Sequence, residues 1–412
     1  MSTVAASTEQ EPTKFKIEYV PTNLEMRTHG GRDLDRIDRE LVPRIAARTR
    51  PRGVHELGKV DVYGLIMSLQ SELAHEVSYA LNTLLILSSG LDAPAQFQFL
   101  MAPCENLLDV LLDMLMSGMG GNEENTTATD TLLRKDLTTY CEALELVLQD
   151  EAALRLWRRQ TGSSVAEQAA NRRVAIVQAI VTILRNVAVM PENSSFLATH
   201  SRFVQSLAWM ARTIQADQRW GGTSNQLQCF SLNELLHLRK DLITILLGIS
   251  GESLDLSVHT PATVASLFDL IRFFVLDAAE FEHREGAPPA LLERLPAQVP
   301  QSQVLLYQVP HHVQLALQAF SCFALPDANR ETLGREVPAD VLLQISECLL
   351  GLLPVQLNDF RRLVSSTRLE YAETVAMCLY NVVYLASPSI KTTIRDTPGA
   401  VGILFRAVKP VS

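Results

Sequence analysis

The sequence predicts an all-α protein, an array of stacked helical repeats preceded by an extended arm, and three observations carry that prediction. The composition is 47% hydrophobic and 20% charged with only 6% aromatic residues, and Leu and Ala recur throughout, which favours packed helices over a β-sandwich. From Val60 onward apolar residues return at three-to-four spacing almost without interruption. The helical segments also repeat as a phrase: a long apolar helix, a break at Pro, Ser or Asn, a short amphipathic helix, a second break and another apolar helix.

Taken in order along the 412 residues, 1–15 are Ser/Thr/Glu-rich without periodicity and read as a disordered tail. Residues 16–55 read as a basic arm, with a short helix predicted over Leu34 to Ala47 because Leu34, Ile37, Leu41 and Ile45 keep helical spacing. Residues 56–409 read as one repeat domain. Its first copy of the phrase is Val77 to Leu87, a break at Ser88 to Pro94, and Leu107 to Met116 after Pro103. The second is Val174 to Val189, a break at Met190 to Ser195, Phe196 to His200, then Phe203 to Ile214. The third is Val313 to Phe323, a break at Pro326 to Asn329, then Val341 to Leu353. The last is Ala372 to Leu385, a break at Ser387 to Ser389, Ile390 to Ile394, then Val401 to Val408. Proline removes a donor and clashes with the preceding turn, while Ser, Asn and Asp cap the next helix, so the breaks have a chemical cause. Helices of this length with such wide apolar faces cannot stand alone in water, so each unit stacks on its neighbours in a right-handed or irregular α-solenoid. Long surface excursions are expected near 118–130, which is polar and acidic, and near 280–312, which carries several prolines.

The chain carries a formal charge of −10, yet residues 1–52 hold ten Lys/Arg against eight Asp/Glu, leaving 26 against 38, or −12, for the body. An acidic body repels a nucleic-acid backbone. The six cysteines lie far apart and mostly inside apolar helical patterns, as reduced core thiols would. No N-terminal apolar leader is visible, and Val77 to Leu91 is too short and interrupted to span a bilayer, so a soluble intracellular protein is expected. Without a secretory signal, the sequons at Asn125 and Asn193 are chance matches.

Catalysis requires convergent nucleophile, acid/base and binding groups, and no such spacing is complete. His75-Glu76-Val77-Ser78-Tyr79 begins like a zinc-protease motif but has Tyr79 where the second imidazole must sit. Gly118-Met119-Gly120-Gly121 has no strand before it and Glu123 in the third glycine's place, so it reads as a loop. His311-His312 beside Pro310 reads as a solvated loop pair. No catalytic, metal or cofactor residues are therefore assigned, and the chain is expected not to be an enzyme.

What remains points to binding. Asn82, Asn186 and Asn381 occur at matching places in the long helices, where Asn costs helix propensity and must be offset by a hydrogen-bonding role, to a neighbouring turn or to a bound peptide. With Arg185 and Trp209 they form the candidate partner-binding set. Trp157, Trp209 and Trp220 would otherwise be core or helix-junction fillers. Arg44, Arg48, Arg50 and Arg52 lie in a stretch without acidic residues and are candidates for contact with phosphates or an acidic partner, unless the stretch is an ordinary charged linker.

Two of the repeat phrases, VTILRNVAVMPENSSFLATHSRFVQSLAWMAR and AMCLYNVVYLASPSIKTTIRDTPGAVGILFRAV, resemble the third-helix-to-first-helix step of an armadillo repeat. KIEYVP (Lys16 to Pro21), THGGRDL (Thr28 to Leu34) and the run from His55 to Ser89 narrow the match. They resemble the armadillo core of the ARID-bearing subunit of SWI/SNF-class chromatin remodellers of fungal type, over roughly residues 16–409. The resemblance implies an armadillo-like solenoid in a nuclear, non-enzymatic subunit that binds other core subunits and the helical segment of the ATPase subunit, with no cofactor. The family's DNA-binding ARID, expected upstream, has no room in this chain, so direct DNA binding is not carried over. The other reading is an armadillo adaptor that grips peptides outside chromatin remodelling, although only three helices carry the asparagine.

Overall fold

The computed structural model describes residues 28–29, 32–33, 39, 52–90, 92–93, 97–121, 138–149, 165–276, 278, 311–354, 366–385, 388–397 and 399–408. The chain divides into two units, Met1–Arg52 and Gly53–Ser412, a boundary three residues before the one read from the sequence. In the first unit the described residues form a minimal antiparallel pair, β1 (Thr28–His29) against β2 (Arg32–Asp33), with Thr28 opposite Asp33 and His29 opposite Arg32. The helix expected over Leu34 to Ala47 lies outside the described residues except for Arg39, which is helical and exposed.

The second unit is an all-α solenoid with fifteen helices among its described residues. Five of them stack in one row: α2 (Ala74–Ser89), α5 (Val165–Val189), α8 (Leu232–Ile249), α10 (His311–Phe323) and α13 (Ser366–Leu385), each packed on the next. A second row is made by α1 (Val62–Gln70), α3 (Glu105–Gly118), α7 (Ser201–Gln215), α9 (Pro261–Val275), α12 (Ala339–Leu352) and α14 (Pro388–Asp396). Short helices turn the chain between rows: α6 (Pro191–Thr199) before α7 and α11 (Asp327–Glu336) before α12. Beside them, α4 (Tyr140–Gln149) packs on α8 and α9, and α15 (Ala400–Val408) on α14. The apolar faces close into one continuous core that runs from Leu65 to Ala400. At ~1.5–3 kcal/mol per fully buried aliphatic side chain, this stacking holds helices that are too short to persist alone.

Local chemistry sets the ends. Asp61 caps α1 by accepting from the Tyr63 amide at 3.1 Å. Ser231 and Glu234 cap α8 reciprocally, at 3.2 Å from the Glu234 amide to Ser231 Oγ and 2.7 Å from the Ser231 amide to the Glu234 carboxylate. Gly90, at φ +61°, ends α2 in the left-handed region that only glycine enters without strain.

Two segments read as breaks prove to be helix starts. Pro191 occupies the first turn of α6, and Pro326 caps α11, so Met190 to Ser195 and Pro326 to Asn329 are largely first-turn residues. Proline forbids a helix interior but not its first turn, where the missing N–H has no partner in any case. His311 and His312, read as a solvated loop, instead open α10, and the His312 ring stacks on Phe274 at 6.3 Å between centroids. The half-buried His312 extends the apolar face of α10 by one residue before Val313, although sequence patterning scores imidazole as polar, while His311 stays exposed.

The α6 and α11 starts carry a recurring device. Asn193 is fully buried, accepting from the Met101 amide at 2.9 Å and donating to the Phe99 carbonyl at 2.9 Å. Asn329, also fully buried, accepts from the Leu256 amide at 2.7 Å and donates to the Leu254 and Phe323 carbonyls at 2.7 and 3.2 Å. Each asparagine clamps the backbone of the preceding connection at residues two apart. Burial of Asn193 is also incompatible with the sequon it belongs to serving as a glycosylation site.

Candidate interaction surfaces

Of the three asparagines expected to match, Asn186 and Asn381 do and Asn82 does not. Asn82 is exposed on α2, Asn186 is half-buried on α5, and Asn381 is buried on α13. Asn186 and Asn381 share a register, each two residues after a buried leucine and one before a buried valine: Leu184 and Val187 on α5, Leu379 and Val382 on α13. On α2 that place, between Leu81 and Leu84, falls to the buried Thr83, so Asn82 lies one residue, or about 100°, away on the exposed face.

Asn186 joins an internal network in the first row. Its amide donates to Ser88 Oγ on α2 at 3.3 Å, while Arg185 beside it donates to Asp241 on α8 at 2.7 Å. The Arg185 and Asp241 side chains are 37% and 21% exposed, so water screens the pair and its contribution is within about 1 kcal/mol. Arg185 is thus already engaged between two helices and is not a free cation awaiting a ligand. In the helix next in register, Gly248 of α8 takes the place of an asparagine. A Cβ there would run into the Ala188 carbonyl of α5, so the small residue sets how closely these two helices pack.

Trp209 is 6% exposed, its ring lies against Gly121, and its edge lines a groove between α3, α7 and α9. Trp220 is buried as well, 5.4 Å from the guanidinium of Arg239, whereas Trp157 lies outside the described residues. Of the arginine candidates, Arg44, Arg48 and Arg50 lie outside the described residues and Arg52 is exposed in the first unit. His75 and Glu76 are an exposed pair on the surface of α2, with Tyr79 one turn on, also exposed. Among the described residues no three His, Cys, Asp or Glu side chains converge as a metal-binding set, and no single helix is long and apolar enough to cross a membrane.

Sequence reasoning passed over the residues that now stand out. Arg239 and Arg272 are buried in the apolar pattern of α8 and α9. Arg239 sits 4.0 Å from the Phe273 ring centroid and donates to Gln215, and burial pushes its pKa down to about 9. Arg272 is held by Asp269 at 2.7 Å and Gln344 at 3.2 Å. Nothing in an arginine's letter distinguishes a buried guanidinium from a surface one.

Large apolar side chains also stand in solvent at both ends of the array. At the first end these are Tyr63 and Met67, one turn apart on α1, with Leu73 and Tyr79 around the start of α2. At the last end they are Met377, Tyr380 and Tyr384 on α13. Tyr380 and Tyr384 lie 6.2 Å apart, with the Arg330 guanidinium 4.8 Å from Tyr384. Exposed Tyr and Met carry large contact area at low entropic cost, the composition enriched at protein–protein interfaces.

No family model matches the chain. It is similar to the SWI/SNF chromatin-remodeling complex subunit sol1 of Schizosaccharomyces pombe, 22% identical over 316 residues. That stretch covers 72% of this chain and 32% of the relative, so the match spans about a third of the length of the curated protein. The chain is a distant homologue of that complex subunit.

Proposed function

We propose that this chain is a non-catalytic scaffold subunit of a SWI/SNF-type chromatin-remodelling complex, acting in the nucleus through an armadillo-like solenoid. The single observation that carries the reading is the similarity to a remodeller subunit across most of an all-α array. A solenoid suits the role physically. Each helix pair contacts only its neighbours, so the array presents long continuous faces that are rigid before any partner arrives. The exposed Tyr and Met side chains at its two ends supply anchoring area, and its bound partners are other core subunits together with the helical segment of the ATPase subunit. The motor chemistry then belongs to another chain, in keeping with the want of any convergent catalytic set in the sequence.

The test is purification of the tagged chain from its own cells at physiological salt, followed by identification of what accompanies it. A remodeller ATPase and core subunits in stoichiometric amounts are the expected result. Recovery of the chain without them overturns the proposal. In the recovered complex, Tyr380→Ala with Tyr384→Ala should cost core subunits while the helical circular-dichroism signal of the chain is unchanged.

A further inference from the structure

An open groove of about 320 Å³ runs between α3, α7 and α9 in the second row. One wall is apolar, formed by Met116, Ala208 and Trp209, and the other is the first turn of α9 with its cap Thr260. Three polar side chains on α7 line this space without an internal use among the described residues: the exposed Gln205 and two that are more buried. Ser206 is 4% exposed, yet its hydroxyl has no hydrogen bond among the described residues. Arg212, half-buried one and a half turns on, has neither a hydrogen bond nor an ion pair among them. A fourth group, Arg202, also lines the groove but is committed to Asp109 at 2.8 Å and to Asp113. The groove therefore combines one free cation, one unused buried hydroxyl and the positive end of a fifteen-residue helix.

We propose that this groove receives an acidic segment of a partner protein. One Asp or Glu carboxylate sits between Arg212, Ser206 and the first turn of α9, and an adjacent apolar side chain lies against Trp209 and Met116. Charge selects the ligand. A carboxylate brings one negative charge to one free cation, whereas a phosphoryl group of about −1.5 to −2 needs a second, which Arg202 cannot supply. A nucleic-acid backbone carries one charge per phosphate in series and needs several free cations, whereas Arg202 is already neutralised by Asp109 and Asp113 and leaves Arg212 alone. The volume is at the lower limit of ligand pockets, roughly 300 Å³, and fits two or three side chains. This inference rests on the assembly reading only in taking the ligand to be part of a protein.

The test is a titration of the full chain with N-acetyl-Leu-Glu-Leu-amide, its Gln analogue and inorganic phosphate, following the indole N–H resonance of Trp209, assigned with Trp209→Phe. The Glu peptide should bind at least about fivefold tighter than the Gln peptide, as a charge-assisted contact predicts. Arg212→Gln should abolish that preference, Arg212→Lys should retain part of it, and Ser206→Ala should weaken the Glu peptide alone, all with an unchanged thermal midpoint. Equal or absent shifts with the two peptides overturn the proposal, as does a preference that survives Arg212→Gln or tighter binding of phosphate. Purification without a remodeller would sink the scaffold proposal and leave these outcomes untouched, and the reverse also holds.

Discussion

Replacing Asn329 by Ala tests whether the buried clamp, and not the exposed asparagine of the long helices, is the one the array depends on. The substitution removes one acceptor and two donors from a site with no solvent access, orphaning the Leu256 amide and the Leu254 and Phe323 carbonyls. Each stranded buried group costs about 1–3 kcal/mol, and the longer 3.2 Å bond to Phe323 falls at the low end of that range. The expected loss is about 3–7 kcal/mol, a large share of the stability of an ordinary domain. Asn193→Ala strands two groups, each bonded at 2.9 Å, and should cost about 2–6 kcal/mol. Asn82→Ala, on the exposed face of α2, should stay within about 0.5 kcal/mol of wild type, because Ala gains the helix propensity that Asn lacks. Urea unfolding monitored by circular dichroism gives the ranking. A repeat array can unfold in parts, so hydrogen exchange at the Leu256 and Met101 amides provides the local readout, and protection there should fall in the matching variant. Clamp variants within 1 kcal/mol of wild type, or an Asn82 variant as costly as they are, would refute the reasoning.

Gly248→Ala should destabilise by about 1–3 kcal/mol, measured by the same urea midpoint, because the added methyl meets the Ala188 backbone and α5 and α8 must separate. Arg239→Met should leave stability within about 1 kcal/mol of wild type or raise it, since it removes a buried guanidinium whose Nε and Nη1 have no partner, while Arg239→Ala should cost about 3 kcal/mol through the space left beside Phe273. His312 titrates at about 4, lowered from 6.5 first by burial and then by Lys240, His311 and His237. The fold therefore prefers its neutral form, and the stability this confers is complete above pH 6.5 and lost as pH falls from 6.5 through 4. Unfolding midpoints between pH 7 and pH 4 should decline less steeply for His312→Asn than for wild type.

Much of the fold was legible in the letters. Period-3.6 patterning located four of the five helices of the first row, because a face that must be buried has to return every third or fourth residue, and proline marked the junctions, because it cannot donate from a helix interior. What patterning misjudged were residues whose role depends on a neighbour far along the chain. Asn193 and Asn329 were visible only as junction residues, although a buried Asn just inside a proline-started helix was the available signal. His312 read as loop because imidazole counts as polar until an aromatic such as Phe274 covers it, and the exposed His311 beside it carried no apolar signal.

By itself, then, the sequence determined that the chain is helical, that its helices stack, and where the four repeated phrases lie, since these depend on interactions within a few residues. Only the tertiary structure decided which asparagine is buried, that Arg185 is spent on Asp241 while Arg212 is unused, and that Gly248 sets the approach of α5 to α8. Those outcomes turn on the rotation of one helix against another. A one-residue change in spacing moves a side chain by about 100°, a displacement that no local pattern of letters records.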